Sequence, residues 1–380
     1  MTKEQVRDEF DVIFDGRYQG YIEISLTDIL IVVMCAVMCG WTRYEDIELY
    51  GREKFEFLHE AFGVEKVPSD STICRALQSV SGEVVVDAVI NIMRSCISQT
   101  GEIISIDGKA IRQTYQDERA EKLQIVTAFC AQSGLILGSR SIPKKTNEIP
   151  VLREMLELFN IAGKTITADA LHCQNETVEK IVELGGNYVI GLKKNQKNFY
   201  YDVKESFEKN DLSGAPSAQT VEKNKGRIEK RTCTINSDPE LIERHADWHD
   251  LKTIIAIDRE IEEKGAKTSE RSFYISNLEA SPERFLEIVR QHWAIEGGLH
   301  YSLDCGSFDE DDCQIQSKDA NVVLNIFRKA AIGLHINYIN ATVSTKTKPS
   351  LKNHLKKCLL NNILIIKILH VCKNLSLPMK

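Results

Sequence analysis

The sequence has no Cys-x-x-Cys pair, and its eleven cysteines are an odd number scattered from Cys35 to Cys372. That spacing excludes a zinc ribbon and argues against a disulfide framework, so reduced thiols in a cytoplasmic protein are expected. The opening residues MTKEQVRDEF lack the apolar stretch of a signal peptide. No apolar run reaches the roughly 20 residues of a membrane span. The two longest, Ile29–Cys39 and Cys358–Cys372, read as buried helices, and Asn361, Asn362 and Lys367 interrupt the second. Eight prolines and 21 glycines in 380 residues exclude a collagenous or low-complexity chain. Acidic residues are missing from residues 320–380, which carry ten Lys and Arg.

What is present is ordinary globular material, 43% hydrophobic and 27% charged. The length suits two or three domains. A net charge of −7 looks wrong for a polyanion partner, but the sum hides two parts. Residues 1–319 carry −17 and residues 320–380 carry +10. Affinity for DNA follows the phosphates neutralised locally, so the acidic total does not exclude it. The basic C-terminal segment is a candidate contact for such a partner.

Residues 1–98 read as a helical domain. Asp28 is placed to cap a helix reaching Gly40, and a second helix covers Tyr44–Phe62. The run Pro68-Ser69-Asp70-Ser71 starts a third helix through Leu77. The last two suggest a helix-turn-helix able to contact DNA. From residue 99 to 196 the pattern changes to short apolar strands at Ile103–Ile106, Ile125–Ala131, Leu135–Ile142, Thr165–Ala168 and Tyr188–Leu192. Helices at Pro150–Asn160 and Asn175–Leu184 alternate with the later strands. The expected fold class is α/β, a mixed sheet with flanking helices. Residues 197–270 read as a β-rich insertion, with strands at Arg227–Ile235 and Ile254–Glu260. Residues 271–340 resume the core, with a strand at Ser272–Ile275 and a helix over Pro282–Asp304. Residues 341–380 form the Lys-rich end.

Asp107 and Asp169 each stand just past the end of a strand, at the edge where α/β sheets gather ligands. Two neighbouring carboxylates repel unless a cation lies between them. Oxygen-only ligands select a hard ion such as Mg²⁺. A third acid, Glu296, lies in HWAIEGGLHYSLD, where His292, Glu296, His300 and Asp304 recur every four residues and would share one helical stripe. Gly297 and Gly298 weaken a helix there. A zinc hydrolase built on that stripe lacks the His-Glu-x-x-His arrangement and leaves Asp107 and Asp169 without a role.

IDGKAIR at 106–112, KTNEIP at 145–150, TADALHCQ at 167–174, GGNYVIGLKKNQ at 185–196, GRIEKR at 226–231, and RQHWAIEGGLHYSLD with FDEDD at 290–312 occur in this order. Together they resemble insertion-sequence transposases of the DDE type, in the subgroup with the H-repeat-associated proteins. The resemblance implies a ribonuclease-H-like core with catalytic, metal-binding Asp107, Asp169 and Glu296. It implies two Mg²⁺ or Mn²⁺ ions, double-stranded DNA as partner, a homodimer on DNA, no membrane, and a cytoplasmic, nucleoid-associated site of action. The implied reaction is strand cleavage and strand transfer. A nuclease of the same fold that cannot join ends, or a decayed DNA-binding relic, would carry the same motifs. Lys109, Arg112, Lys193, Gln196 and His300 are candidate DNA contacts, positioning the backbone without reading sequence. His172 is a candidate for orienting phosphate or water, and Trp293 is expected in the core. Asn147 and Glu148 match a motif without an evident mechanism. Similar transposases often carry Tyr, Arg and Lys around the glutamate, where this chain has Val289, His292 and Leu303.

Overall fold

The computed structural model describes residues 2–97, 101–111, 123–143, 146–209, 214–224, 226–344 and 348–370. Helices α1 (Lys3–Asp11), α2 (Leu26–Met38), α3 (Tyr44–Glu53), α4 (Phe55–Phe62), α5 (Asp70–Ser79) and α6 (Gly82–Cys96) come first. Strands β1 (Ile103–Ala110), β2 (Gln124–Cys130) and β3 (Leu135–Ser141) follow. Next come α7 (Glu148–Met155), β4 (Thr165–Ala168), α8 (Asn175–Glu183) and β5 (Asn187–Leu192). The middle of the chain holds α9 (Lys197–Lys209), β6 (Ser217–Asn224), β7 (Arg227–Asn236), α10 (Pro239–Arg244), β8 (Thr253–Glu263) and β9 (Ala266–Ser276). The chain continues with α11 (Pro282–Ala294), α12 (Lys318–Thr342), α13 (Leu351–Leu360) and α14 (Asn362–His370). The result is a mixed α/β protein of two compact units.

The first unit comprises Met1–Gly101, Gly108–Lys145 and Glu296–Lys380. Every residue of α2 is buried, as an all-round apolar helix demands. The long α12 packs against α2, α5, α6 and β3, and this is the unit's core. Strands β2 and β3 form an antiparallel hairpin. Its turn needs Gly134, at φ 77°, because a Cβ there would stand 2.3 Å from the Gly333 carbonyl oxygen on α12. Gly333 faces the same limit, 2.0 Å from the Gly134 oxygen.

The second unit comprises Glu102–Asp107 and Thr146–Ile295. Its strands run in the order β1-β4-β5-β9-β8-β7-β6. The pairs β1–β4 and β4–β5 are parallel, and the remaining pairs are antiparallel. Ile103, Val189, Ile255, Phe285 and Ile288 form its core.

Several local expectations are corrected. The cap of α2 is Ser25, which accepts from Asp28 N; the buried Asp28 carboxylate instead takes Arg7 at 2.9 Å and Glu65 N at 3.1 Å. The Tyr44–Phe62 helix breaks at Lys54, leaving α3 and α4. Ser69 caps α5 as expected, but the connection from α4 runs over residues 63–69, longer than a helix-turn-helix turn of about three or four residues. Helix α7 starts at Glu148 and stops at Met155. Helix α9 occupies the start of the expected β-rich stretch, with Phe199, Val203 and Phe207 buried at helical spacing. The Cys358–Cys372 run contains a break at Asn361, between α13 and α14; its residues 371 and 372 lie outside the described residues. Among the described residues no single helix is long and apolar enough to cross a membrane; α5 and α6 pass such a test only as a pair bent by 100°.

Candidate active site

The second unit brings two expected acids into one register. Parallel pairing sets Ser105 opposite Thr167 and Ile106 opposite Ala168. Asp107 and Asp169 are the next residue on each chain, and neighbouring strands lie about 4.8 Å apart. Because side chains alternate along a strand, Ser105 and Asp107 share a face. Thr167 stands in line with Ser105 and donates to its hydroxyl at 3.1 Å. Ser105 in turn donates to the Gln291 carbonyl on α11 at 3.3 Å. With the Thr167 proton so engaged, its oxygen accepts from His292 Nδ1 at 3.1 Å. Burial pushes His292 down to about 4, against the pull of Asp169 and with the push of His172. His292 is therefore a neutral pin fixing the end of α11, four residues before Glu296.

Asp169 caps a short turn, Ala170–His172, accepting from Leu171 N at 3.1 Å, and its side chain is 46% exposed. The loop after β5 clamps this turn. Asn195 Nδ2 donates to the Ala170 carbonyl at 2.6 Å, and Gln196 Nε2 to that of Cys173 at 2.8 Å. Gly191 permits the approach, since a Cβ there would meet Ala170 N at 3.2 Å. Gln196, expected to contact DNA, here holds the Asp169 turn, and Asn195, which holds it too, was missed. Lys193 is exposed on the same loop. His172 is fully buried, its Nε2 3.6 Å from Glu148 and 4.0 Å from Asp169. Trp293 is 43% exposed rather than in the core, with the Arg259 guanidinium 5.7 Å from its ring centre.

Other expected residues belong to the first unit. Lys109 pairs with Asp304 and, at 2.8 Å, with the fully buried Glu310. Burial works to lower the Lys109 ammonium, but Glu310 and Asp304 hold it above its ordinary value. Glu310 also takes Asn325 at 2.9 Å and Arg328 at 3.0 Å. Burial works to raise Glu310, yet Arg328 and Lys109 hold it at about 2. His300 is buried and pushed down to about 3 by that burial and by Lys329 and Lys109. Lys109 and His300, expected to contact DNA, are therefore internal groups in this structure. Glu296 is exposed in a π-helical turn, Ile295–His300. The wider turn replaces the regular helix expected over Pro282–Asp304. It breaks the four-residue stripe, so His292 and His300 are buried while Glu296 is not. Arg112 lies outside the described residues.

The register-matched pair of carboxylates is of the kind that suits a hard divalent cation, which commonly takes one or two carboxylates and completes its shell with water and phosphate oxygens. Among the described residues no group of three or more His, Cys, Asp or Glu is arranged to hold a metal ion.

Two family models match the chain: "Transposase DDE domain" over residues 98–334 and "DDE_Tnp_1-associated" over residues 7–93. The chain is similar to "Putative transposase YncI" of Escherichia coli O157:H7, 30% identical over 99% of this chain and 97% of that one. It is also similar to "H repeat-associated putative transposase YhhI" of Escherichia coli K12, 32% identical over 89% and 92%. A solved piggyBac transposase synaptic complex with hairpin DNA aligns with 99% of this chain and 79% of its own, at 10% identity and a TM-score of 0.47.

Proposed function

Starting from a chain that belongs to the DDE transposase family, enzymes acting on DNA, we propose that it cleaves and joins DNA strands in a divalent-metal-dependent reaction on a ribonuclease-H-like core. The observation that carries this reading is the placement of Asp107 and Asp169 one residue beyond the paired ends of adjacent parallel strands. These two carboxylates hold the cation, and Glu296 is the third catalytic carboxylate. When bound, Mg²⁺ or Mn²⁺ supplies Lewis acidity for the attacking oxygen and for the leaving 3′-oxygen. The attacking oxygen, from water in cleavage or a 3′-hydroxyl in joining, forms a bond to phosphorus as the bond to the 3′-oxygen breaks. His292 and the Asn195–Gln196 clamp keep the acids in place, and Lys193 contacts the DNA backbone. Double-stranded DNA is the partner, with two copies of the chain acting on paired ends.

The test is nicking of DNA carrying the element's own ends, with Mg²⁺ or Mn²⁺. Asp107→Ala, Asp169→Ala and Glu296→Ala should each abolish it. Full activity in Asp169→Ala would overturn the reading.

A further inference from the structure

The motif KTNEIP acquires a place in the structure that the triad does not use. Asn147 caps α7, accepting from Ile149 N at 3.0 Å, and so fixes Glu148 as the first helical residue. The Glu148 carboxylate lies 3.6 Å from His172 Nε2, and the same nitrogen lies 4.0 Å from Asp169 Oδ1. The imidazole is 0% exposed, and neither ring nitrogen has a hydrogen-bond partner among the described residues. Buried polar groups are almost always satisfied, and an exception calls for a reason. Here the reason is geometric. The nitrogen stands near two carboxylates, about 0.4 Å outside hydrogen-bond range of the nearer one. It sits on a turn that Asp169 itself caps and that Asn195 and Gln196 clamp.

We propose that Glu148 and His172 are positioning residues for Asp169. In the working state the single Nε2–H of His172 is shared between Glu148 and Asp169 Oδ1. The Leu171 amide already donates to that same oxygen, so Oδ2 is the oxygen turned to the cation. Groups that orient a metal ligand from behind typically change metal affinity or activity by about 10–100-fold when removed. The inference rests on Asp169 being a cation ligand.

The experiment is Mn²⁺ binding to the full chain, followed by the loss of the free-ion electron paramagnetic resonance signal, with the Mg²⁺ dependence of nicking alongside. His172→Ala and Glu148→Ala should weaken Mn²⁺ binding by about 10–100-fold and shift nicking to higher Mg²⁺, with thermal unfolding still cooperative. His172→Gln, which keeps an N–H on a side chain of similar reach, should recover most of the affinity. A purely structural role would lower stability without moving metal affinity. If His172→Ala fails to fold, Glu148→Ala decides, because that side chain lies near the surface at 19% exposure. Wild-type Mn²⁺ affinity in Glu148→Ala and in any folded His172→Ala overturns the proposal. Asp169→Asn separates the two levels. If it too binds Mn²⁺ like the wild type, the ligand reading itself fails. If it alone loses binding, only the positioning role fails.

Discussion

Glu310 in the first unit and Asp169 in the second are both acids from motifs that resemble the family's, and their surroundings are opposite. Glu310 has no exposed surface and meets Lys109, Asn325 and Arg328 within 3.0 Å. Asp169 is nearly half exposed, accepts one backbone N–H, and has a buried imidazole 4.0 Å away. A carboxylate whose partners are all internal stabilises a fold. A carboxylate at a strand end, open to solvent and braced from behind, is available to a ligand. The comparison therefore separates acids by how much of their hydrogen-bonding capacity the protein itself uses.

The strongest way to break this comparison is to exchange the consequences. Asp169→Ala should take nicking below detection while leaving the denaturant midpoint near that of the wild type. Glu310→Ala should do the reverse in kind, destabilising the chain by about 3–5 kcal/mol, because it strands Arg328 as a buried cation without a carboxylate and leaves Lys109 with Asp304 alone. Urea unfolding of the two variants checks both. A stable, inactive Glu310→Ala would show that this acid too belongs to the reaction.

Acid sharpens the same contrast. The folded state holds Glu310 at about 2, below its ordinary value of 4.5. The unfolded chain then binds the proton more readily, so stability rises with pH across that window. The contribution is fully present above about pH 4.5 and is lost as pH falls from there through 2. Glu310→Gln should flatten that part of the stability–pH curve, read from thermal unfolding, although its stability at neutral pH is lower.

Much of this contrast was legible in the sequence, but unevenly. The apolar runs before Asp107 and Asp169 marked two strands, because burial leaves a local trace; β4 ends before Asp169 as expected, but β1 continues past Asp107 to Ala110, and only its pairing with β4 stops at Ile106. The role of Glu310 left none. FDEDD looks like a solvated acidic run, and only Lys109, distant in sequence, and Arg328 on α12 make one of its members a core group. The π-helical turn at Ile295–His300 also escaped, since an i→i+5 hydrogen-bond pattern has no residue signature beyond the weak hint of Gly297-Gly298. The charged stretch 197–209 hid a helix whose Phe199, Val203 and Phe207 are buried. Asn195 went unnoticed because its partner is a backbone carbonyl, which no side-chain pattern reveals.

The clamp on the Asp169 turn offers a smaller effect. Gly191→Ala places a methyl group 3.2 Å from Ala170 N, so the turn must move by a few tenths of an ångström. Misplacement near a reacting centre can reduce rate by up to about 100-fold. Nicking should fall by between about 10- and 100-fold, with the unfolding midpoint little changed. Unaltered single-turnover kinetics would mean that the turn tolerates the shift and that the clamp does not set the position of Asp169.

The smallest expected effect carries the comparison from acids to lysines. Lys109 is 10% exposed and engaged by two carboxylates, whereas Lys193 is exposed beyond β5 on the loop that holds the Asp169 turn. Lys193→Ala should weaken DNA binding by a similar factor for any sequence and reduce the slope of log affinity against log salt by about 0.7–0.9, the change for one phosphate contact. Lys109→Met should leave that slope alone and lower stability, because Asp304 loses its cation and Glu310 keeps only Arg328. A fluorescence-anisotropy titration at several salt concentrations reads both variants. An unchanged slope in Lys193→Ala would remove that loop from the DNA path, and a reduced slope in Lys109→Met would show that its ion pair opens to DNA.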